Sequence, residues 1–246
     1  MRNAFRDFFR RIRVSRHLAT HGPVFDYHGL AVTLPDDAGL SVFNALLRRK
    51  YEREEAALII DHLPPDLPVI ELGGSLGVVS RLIGSRLAPE TRHLVVEANP
   101  DLIAACSANA KRQAVPGATE VINAALYYDG PTARFRIGSE AHSNALDIGT
   151  GAGRVVDVPA VTLADLHKRL GTPAAFTLVA DIEGAEYDLF AREAATLAHV
   201  AVAIVELHPR DYARGGRSEA ALTALIEAAG LTVAERRADV VLLRRR

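Results

Sequence analysis

Val69-Ile70-Glu71-Leu72-Gly73-Gly74-Ser75-Leu76-Gly77 runs from an apolar strand into a glycine-rich bend, and Leu94-Val95-Val96-Glu97 forms a second apolar run that ends in an acid. An apolar run that stops at a glycine bend and leads into a helical pattern is how an α/β sheet seats a nucleoside at its carboxyl edge. The carboxylate on the next strand is then placed for the ribose hydroxyls. The expected ligand is an adenosine-containing small molecule.

Working outward, strand-like and helix-like segments alternate: strand 67–72, helix 76–87, strand 92–97, helix 100–113, strand 120–125. Such alternation predicts a parallel sheet covered on both faces. It breaks over 126–161, where Tyr127-Tyr128-Asp129-Gly130-Pro131 is turn chemistry, 133–137 reads as a strand and 138–153 is rich in Gly, Ser and Asn. An inserted hairpin with a long loop is expected there. The alternation resumes with strand 155–161, helix 163–170, strand 176–181, helix 185–197, strand 200–206 and helix 218–229, then a terminal antiparallel hairpin, 231–236 and 240–243. Upstream, residues 24–34 read as a hairpin around His28-Gly29, and 41–63 as a helical stretch punctuated by the charged cluster Arg48 to Glu55 and ended by Pro64-Pro65 and Pro68.

The 246 residues, 49% hydrophobic and 24% charged, supply one large core. We expect residues 1–50 to form an extension and 51–246 the main domain. A formal net charge of −1 gives no field to hold a polyanion, so nucleic acid is not an expected partner. Cys106 is the single cysteine and no apolar segment approaches the roughly 18 residues of a membrane span. The expected location is cytoplasmic.

The amino terminus departs from this average. Arg2, Arg6, Arg10, Arg11, Arg13 and Arg16 face only Asp7, and Phe5, Phe8, Phe9 and Ile12 fall at helical spacing. The favoured reading packs the Phe stripe against the core or a second subunit of a homodimer. The other lays residues 1–20 on a membrane surface as a peripheral contact.

Spacing decides between two nucleoside cofactors. A dinucleotide fold wants G-x-G-x-x-G, whereas the glycines here are 73, 74 and 77. Glu71-x-Gly73-x-Ser75-x-Gly77 instead resembles the first motif of class I methyltransferases that use S-adenosylmethionine (SAM). A SAM sulfonium and amino group would be favoured by Glu71, and a ribose diol by Glu97. An NAD-dependent oxidoreductase is the less favoured alternative.

Further strings extend the match. Tyr51-Glu52, Val96-Glu97-Ala98-Asn99-Pro100, Asn123-Ala124-Ala125, Val161 to Leu166, Asp181-Ile182-Glu183-Gly184-Ala185-Glu186 and Val205-Glu206-Leu207-His208-Pro209 are similar, in order and spacing, to FkbM-type methyltransferases. The resemblance covers about residues 51–210. It implies a doubly wound, Rossmann-like, seven-stranded α/β sheet, mostly parallel with the last strand antiparallel. It also implies O-methylation of a hydroxyl on a sugar, glycolipid or secondary-metabolite acceptor. The family's first loop is usually Asp-x-Gly-Ala-Asn-x-Gly, so Glu71, Gly74 and Ser75 are departures, as is Ala180 where a lysine is common.

The expected cofactor-binding residues are Glu71, Gly73, Gly74, Ser75, Gly77, Glu97, Ala98, Asn99, Asn123, Ala124, Ala125 and Asp181. Methyl transfer to an alcohol requires alignment and removal of a proton. His208, beyond the strand ending at Glu206, is one candidate base and Asp181 the rival. Asp181, Glu206 and His208 would also suit Mg²⁺ or Mn²⁺ as a minority reading. Glu183 and Glu186 read as helix-opening acids favoured by the dipole. His142, Ser143 and Asn144, in the insertion, are the expected acceptor contacts. A non-catalytic SAM-binding partner in a biosynthetic complex is the alternative of a different class.

Overall fold

The computed structural model describes residues 2–112, 114–138, 145–146 and 153–246. The chain opens with α1 (Arg2–His21), the hairpin β1 (Val24–Tyr27) and β2 (Leu30–Thr33), then α2 (Leu40–Leu47) and α3 (Arg53–His62). His28 and Gly29 turn the hairpin with φ of 53° and 82°, as a two-residue turn with two left-handed positions requires. The helical stretch expected over 41–63 is two helices, which part within the charged cluster. Arg49, at φ 53°, donates its N–H to Leu46 O while Lys50 donates to Ala45 O, both at 2.9 Å. This is a Schellman closure with arginine where glycine usually sits.

The main body follows: β3 (Val69–Leu72), α4 (Val78–Arg86), β4 (His93–Glu97), α5 (Ile103–Ala110) and β5 (Thr119–Asn123). The insertion contributes β6 (Ala125–Leu126), β7 (Thr132–Ile137), β8 (Ala145–Leu146) and β9 (Arg154–Val161). Then come α6 (Leu163–Arg169), β10 (Phe176–Ala180), α7 (Glu186–Arg192), α8 (Ala194–Leu197), β11 (Val200–Glu206), α9 (Pro209–Arg214), α10 (Glu219–Ala228), β12 (Leu231–Arg237) and β13 (Val240–Arg245). The one helix expected over 185–197 is thus α7 and α8, and α9, opened by Pro209, was not expected.

Seven strands form one sheet in the order β12-β13-β11-β10-β3-β4-β5. β13 runs antiparallel to both its neighbours and the remaining pairs are parallel. This is the doubly wound, Rossmann-like sheet expected, with its last strand reversed. The order turns back between β3 and β10, so a crevice opens beyond their carboxyl ends.

β9 does not join this sheet as the alternation implied. It pairs parallel to β6 and antiparallel to β7 in a separate sheet ordered β6-β9-β7-β8. The physical reason lies in its side chains. β3, β4 and β10 are buried at every position, whereas β9 carries Arg154, Asp157 and Pro159 and is buried only at Val158. Such a strand cannot be covered on both faces.

Period-two alternation divides the core between the faces of the main sheet. Ile70, Leu72, Leu178, Ala180, Ala203 and Val205 join one cluster with α6, α7 and α10. Val69, Val179, Val202 and Ile204 join the other with α2, α3 and α4. Burying each such aliphatic side chain stabilises the fold by roughly 1.5–3 kcal/mol.

Phe8, Phe9 and Ile12 of the α1 stripe do not pack on this core, the first of the two places the favoured reading gave them. Phe8, Phe9 and Ile12 are 57%, 48% and 48% exposed. The opposite side of the helix does the packing: Val14 is buried, Leu18 joins the second cluster and the His17 ring stacks on Phe25 at 4.4 Å. Arg13 donates to the buried Asn44 side chain (2.6 Å). Among the described residues no helix is long and apolar enough to cross a membrane.

Candidate active site

The bend after β3 needs its glycines for contact as much as for φ. Gly73 has φ 95°, and a Cβ there would sit 1.9 Å from the Asp181 carbonyl oxygen. Gly77 has φ 73°, and its Cβ would fall 2.5 Å from the Cys106 carbonyl oxygen on α5. Side chains at these positions would push β10 and α5 off the crevice. Ser75 between them is also left-handed, at φ 45°.

That geometry delivers the Ser75 N–H to Glu97 Oε2 at 2.6 Å, while Asn99 N–H meets Oε1 at 2.6 Å. Glu97 is 6% exposed. Burial raises its pKa, opposed by these two backbone bonds. The Asn123 side-chain amide donates to the carbonyls of Glu97 and Ala98 (2.9 and 3.1 Å), fixing the turn after β4. Glu71, expected to face a cationic ligand, is committed inward: it accepts from Ser80 Oγ (2.8 Å) and pairs with His93 Nε2 (2.7 Å).

A second group of ionisable residues meets beyond the ends of β10 and β11. Asp181 is pushed up to about 8, by burial first and then by Glu52, with His208 pulling the other way. Glu52, the residue before α3, stands at φ 40° and is raised to about 7 by burial and by Glu206 and Glu183. Glu206 is likewise raised to about 7, by burial and Asp181. Burial lifts Glu55 well above the carboxylate range.

One cation sits among them. The His208 Nδ1–H donates to Glu186 Oε1 at 3.0 Å, and Nε2 lies 3.4 Å from Asp181 Oδ1 and 3.6 Å from Glu183 Oε2. Burial alone would lower this histidine, but Glu186, Asp181 and Glu183 outweigh it and raise it to about 10. The ring is therefore an imidazolium at neutral pH. Glu186 is wholly buried and also accepts from the Tyr212 hydroxyl (3.0 Å) and the Ile182 N–H (3.1 Å). Among the described residues, two sets bring metal-ligand atoms within 4.8 Å of one another, Asp181–Glu183–His208 and Glu52–Asp181–Glu206. The trio expected from sequence is split between them, with Asp181 shared.

Of the expected residues, Glu71, Gly73, Gly74, Ser75, Glu97, Ala98, Ala124, Ala125 and Asp181 line one cavity. Gly77, Asn99 and Asn123 stand behind its wall, holding α5 and the β4 turn. Glu206 and His208 adjoin Asp181 at one side. His142, Ser143 and Asn144 lie outside the described residues.

Several lining residues were not among the candidates. Tyr51, Glu52 and Glu55 enter from the α2–α3 break, and Phe135 from β7 of the insertion. Glu183 and Glu186, read as dipole-favoured acids, instead surround His208. Glu52 and Glu55 are hidden in the charged cluster Arg48 to Glu55, where nothing separates them from surface charges, whereas Phe135 is signalled by the alternation of β7.

Comparison with known proteins adds independent information. No curated protein sequence matches the chain. Its fold resembles, at a TM-score of 0.49 and 12% identity, magnesium protoporphyrin IX methyltransferase from Synechocystis PCC 6803 with bound SAM, over 99% of this chain and 96% of that one. It also resembles precorrin-6y C5,15-methyltransferase from Geobacter metallireducens GS-15, at a TM-score of 0.45 and 14% identity over 78% and 86% of the two chains. The profile described as the methyltransferase FkbM domain matches residues 76–232. That span takes in the end of the bend, Glu97, the insertion and, of the ionisable cluster, Asp181, Glu183, Glu186, Glu206 and His208; it is well over half of the 246 residues, and the chain accordingly belongs to the FkbM methyltransferase domain family.

Proposed function

We propose that this protein is a SAM-dependent O-methyltransferase acting on a hydroxyl of a sugar, glycolipid or secondary-metabolite acceptor. The observation that carries the donor assignment is the Glu97 carboxylate, fixed by two backbone N–H groups at the wall of a cavity whose neighbouring residues, Ala124 and Ala125, are small. Each oxygen keeps a further lone pair for a ribose diol. The bend supports the same choice against a dinucleotide. Gly73 and Gly74 donate their N–H groups to Val96 O, Ser75 to Glu97 and Gly77 to Gly74 O, so these amides are not available to a pyrophosphate.

SAM, when bound, supplies a methyl group activated by a sulfonium. Its cationic end matches the carboxylates of Glu52, Asp181 and Glu206. We assign the acceptor proton to Asp181, whose Oδ1 makes no hydrogen bond and whose raised pKa makes it a stronger base than an ordinary carboxylate. His208, held as a cation by Glu186, then orients Asp181 and the acceptor without itself taking the proton. Leu126 and Phe135 of the insertion line the cavity, which makes them residues that select the acceptor.

Thermal shift tests the donor half: S-adenosylhomocysteine (SAH) should stabilise the protein, NAD should not, and Glu97→Ala should abolish the effect. Stabilisation by NAD alone would end the assignment. Single-turnover transfer from labelled SAM to hydroxyl acceptors tests the rest. Asp181→Asn should slow it by about 10²–10⁴-fold with SAH binding retained. Donor binding without transfer to any hydroxyl would instead mark a non-catalytic SAM-binding partner.

A further inference from the structure

We propose that α1 docks the protein on an anionic lipid surface, with Phe8, Phe9 and Ile12 inserted among the acyl chains and the arginines around them on the headgroups. At about 100° per residue, these three apolar side chains share one side of the helix, and Val14, His17 and Leu18 share the other. The second side is the one that packs on the body of the protein, so the exposed stripe faces directly away from it. A helix docked by one apolar face while presenting a second to water has more apolar surface than its own fold uses.

Charge selects the occupant. Residues 2–16 hold six arginines against one aspartate, Asp7, and Asp7 is paired with Arg10 (3.2 Å). Arg11 and Arg13 are exposed and flank the apolar stripe on its two sides, and the exposed Arg16 follows Ile12 along it. Phe and Ile between basic flanks is the composition of a helix lying in a headgroup plane. A second copy of the chain fits less well, because a two-fold contact sets the same patch against itself and would face these arginines with one another. Nucleic acid would have no use for the apolar stripe. The rest of the chain offsets the excess, leaving the formal net charge at −1, so the attraction is confined to this helix.

The test uses the full chain and sedimentation with vesicles of phosphatidylcholine, with or without about 30 mol% phosphatidylserine. Binding should require the anionic lipid and weaken as salt rises to about 0.5 M. Each arginine near the surface contributes about fivefold, so Arg11→Ala with Arg16→Ala should weaken binding roughly 25-fold. Phe8→Ser with Phe9→Ser and Ile12→Ser should abolish it with the circular-dichroism melt unchanged. Phe9→Trp, in a chain with no other tryptophan, should shift its emission to the blue on anionic vesicles alone. Failure of the wild type to bind anionic vesicles, or binding unaltered by loss of the three apolar residues, would overturn the proposal. So would a dimer in sedimentation velocity that the triple serine variant dissociates, with vesicles ignored, since a second copy would then cover the stripe.

Discussion

Ser75 and Gly74 depart from the family's usual Ala-Asn pair, and the structure explains Gly74 but not Ser75. Position 75 is left-handed, a conformation asparagine tolerates better than serine. Position 74 lacks room: a Cβ would lie 2.4 Å from Val95 Cγ1 and 2.9 Å from Cys106 Sγ. Restoring the alanine alone should therefore overpack the bend. Gly74→Ala is expected to cost about 1–3 kcal/mol in urea denaturation, and Val95→Ala in the same chain to recover part of it. Additive losses in the double variant would show that Val95 is not the obstacle.

Glu186 is the foremost of the carboxylates that hold His208 as a cation. His208 is raised in the folded state, so the stability its ionisation contributes is fully present below the unfolded value of about 6.5 and lost as pH rises through about 10. Glu186→Gln keeps the bond acceptor and removes the charge. The ring resonance of His208 in an NMR titration should then move at lower pH than in the wild type. Transfer should slow by the worth of a charge-assisted hydrogen bond, roughly 1.5–3 kcal/mol on kcat/KM, with the KM for SAM little changed. An unaltered titration would leave Glu186 a packing residue. Glu186 could not be read from sequence because an acid in the first turn of α7 is what helix electrostatics alone would place there. Glu97 could, since an acid ending an apolar strand has few other uses.

At the scale of elements, apolar periodicity located nearly every helix and strand of the main sheet, and its failures have local causes. Helix breaks are read from glycine and proline, and the closure of α2 uses neither. Arg49 occupies the left-handed position, so no glycine or proline marked the turn that brings Tyr51, Glu52 and Glu55 to the cavity, and the charged cluster Arg48 to Glu55 alone punctuates the stretch. Its ion pair with Asp26 at 3.8 Å is 85% and 56% exposed and contributes little. Arg49→Gly should accordingly stabilise the protein. Relief of roughly 1–2 kcal/mol of left-handed strain outweighs the roughly 0.5–1 kcal/mol of backbone entropy that glycine adds. A midpoint in urea at or below that of the wild type would sink this account. β9 failed differently: periodicity gives a strand its faces and says nothing of which sheet it joins.

Across the whole molecule, three separate elements carry carboxylates to one place: Glu52 before α3, Asp181 after β10 and Glu206 at the end of β11. Glu183 and His208 face the same point, and His208 supplies its cation. Folding thus concentrates negative charge where the sheet edge opens. Asp181 at about 8 and Glu52 and Glu206 at about 7 stand above their unfolded values of about 4, so the folded state holds more protons than the unfolded state between those limits. With folded pKa values raised, the ligand-free protein loses stability as pH rises from about 4 to about 8. A cationic ligand offsets that repulsion only once the carboxylates have ionised. SAM carries the sulfonium charge and SAH does not, while both present the same ribose to Glu97. The melting shift given by SAM minus that given by SAH should therefore be small at pH 6 and grow towards pH 8.5. Glu52→Gln should flatten the increase without removing the shift due to SAH. A difference that stays constant over this range would mean that the carboxylates do not meet the sulfonium, and would move the donor's cationic end away from Asp181.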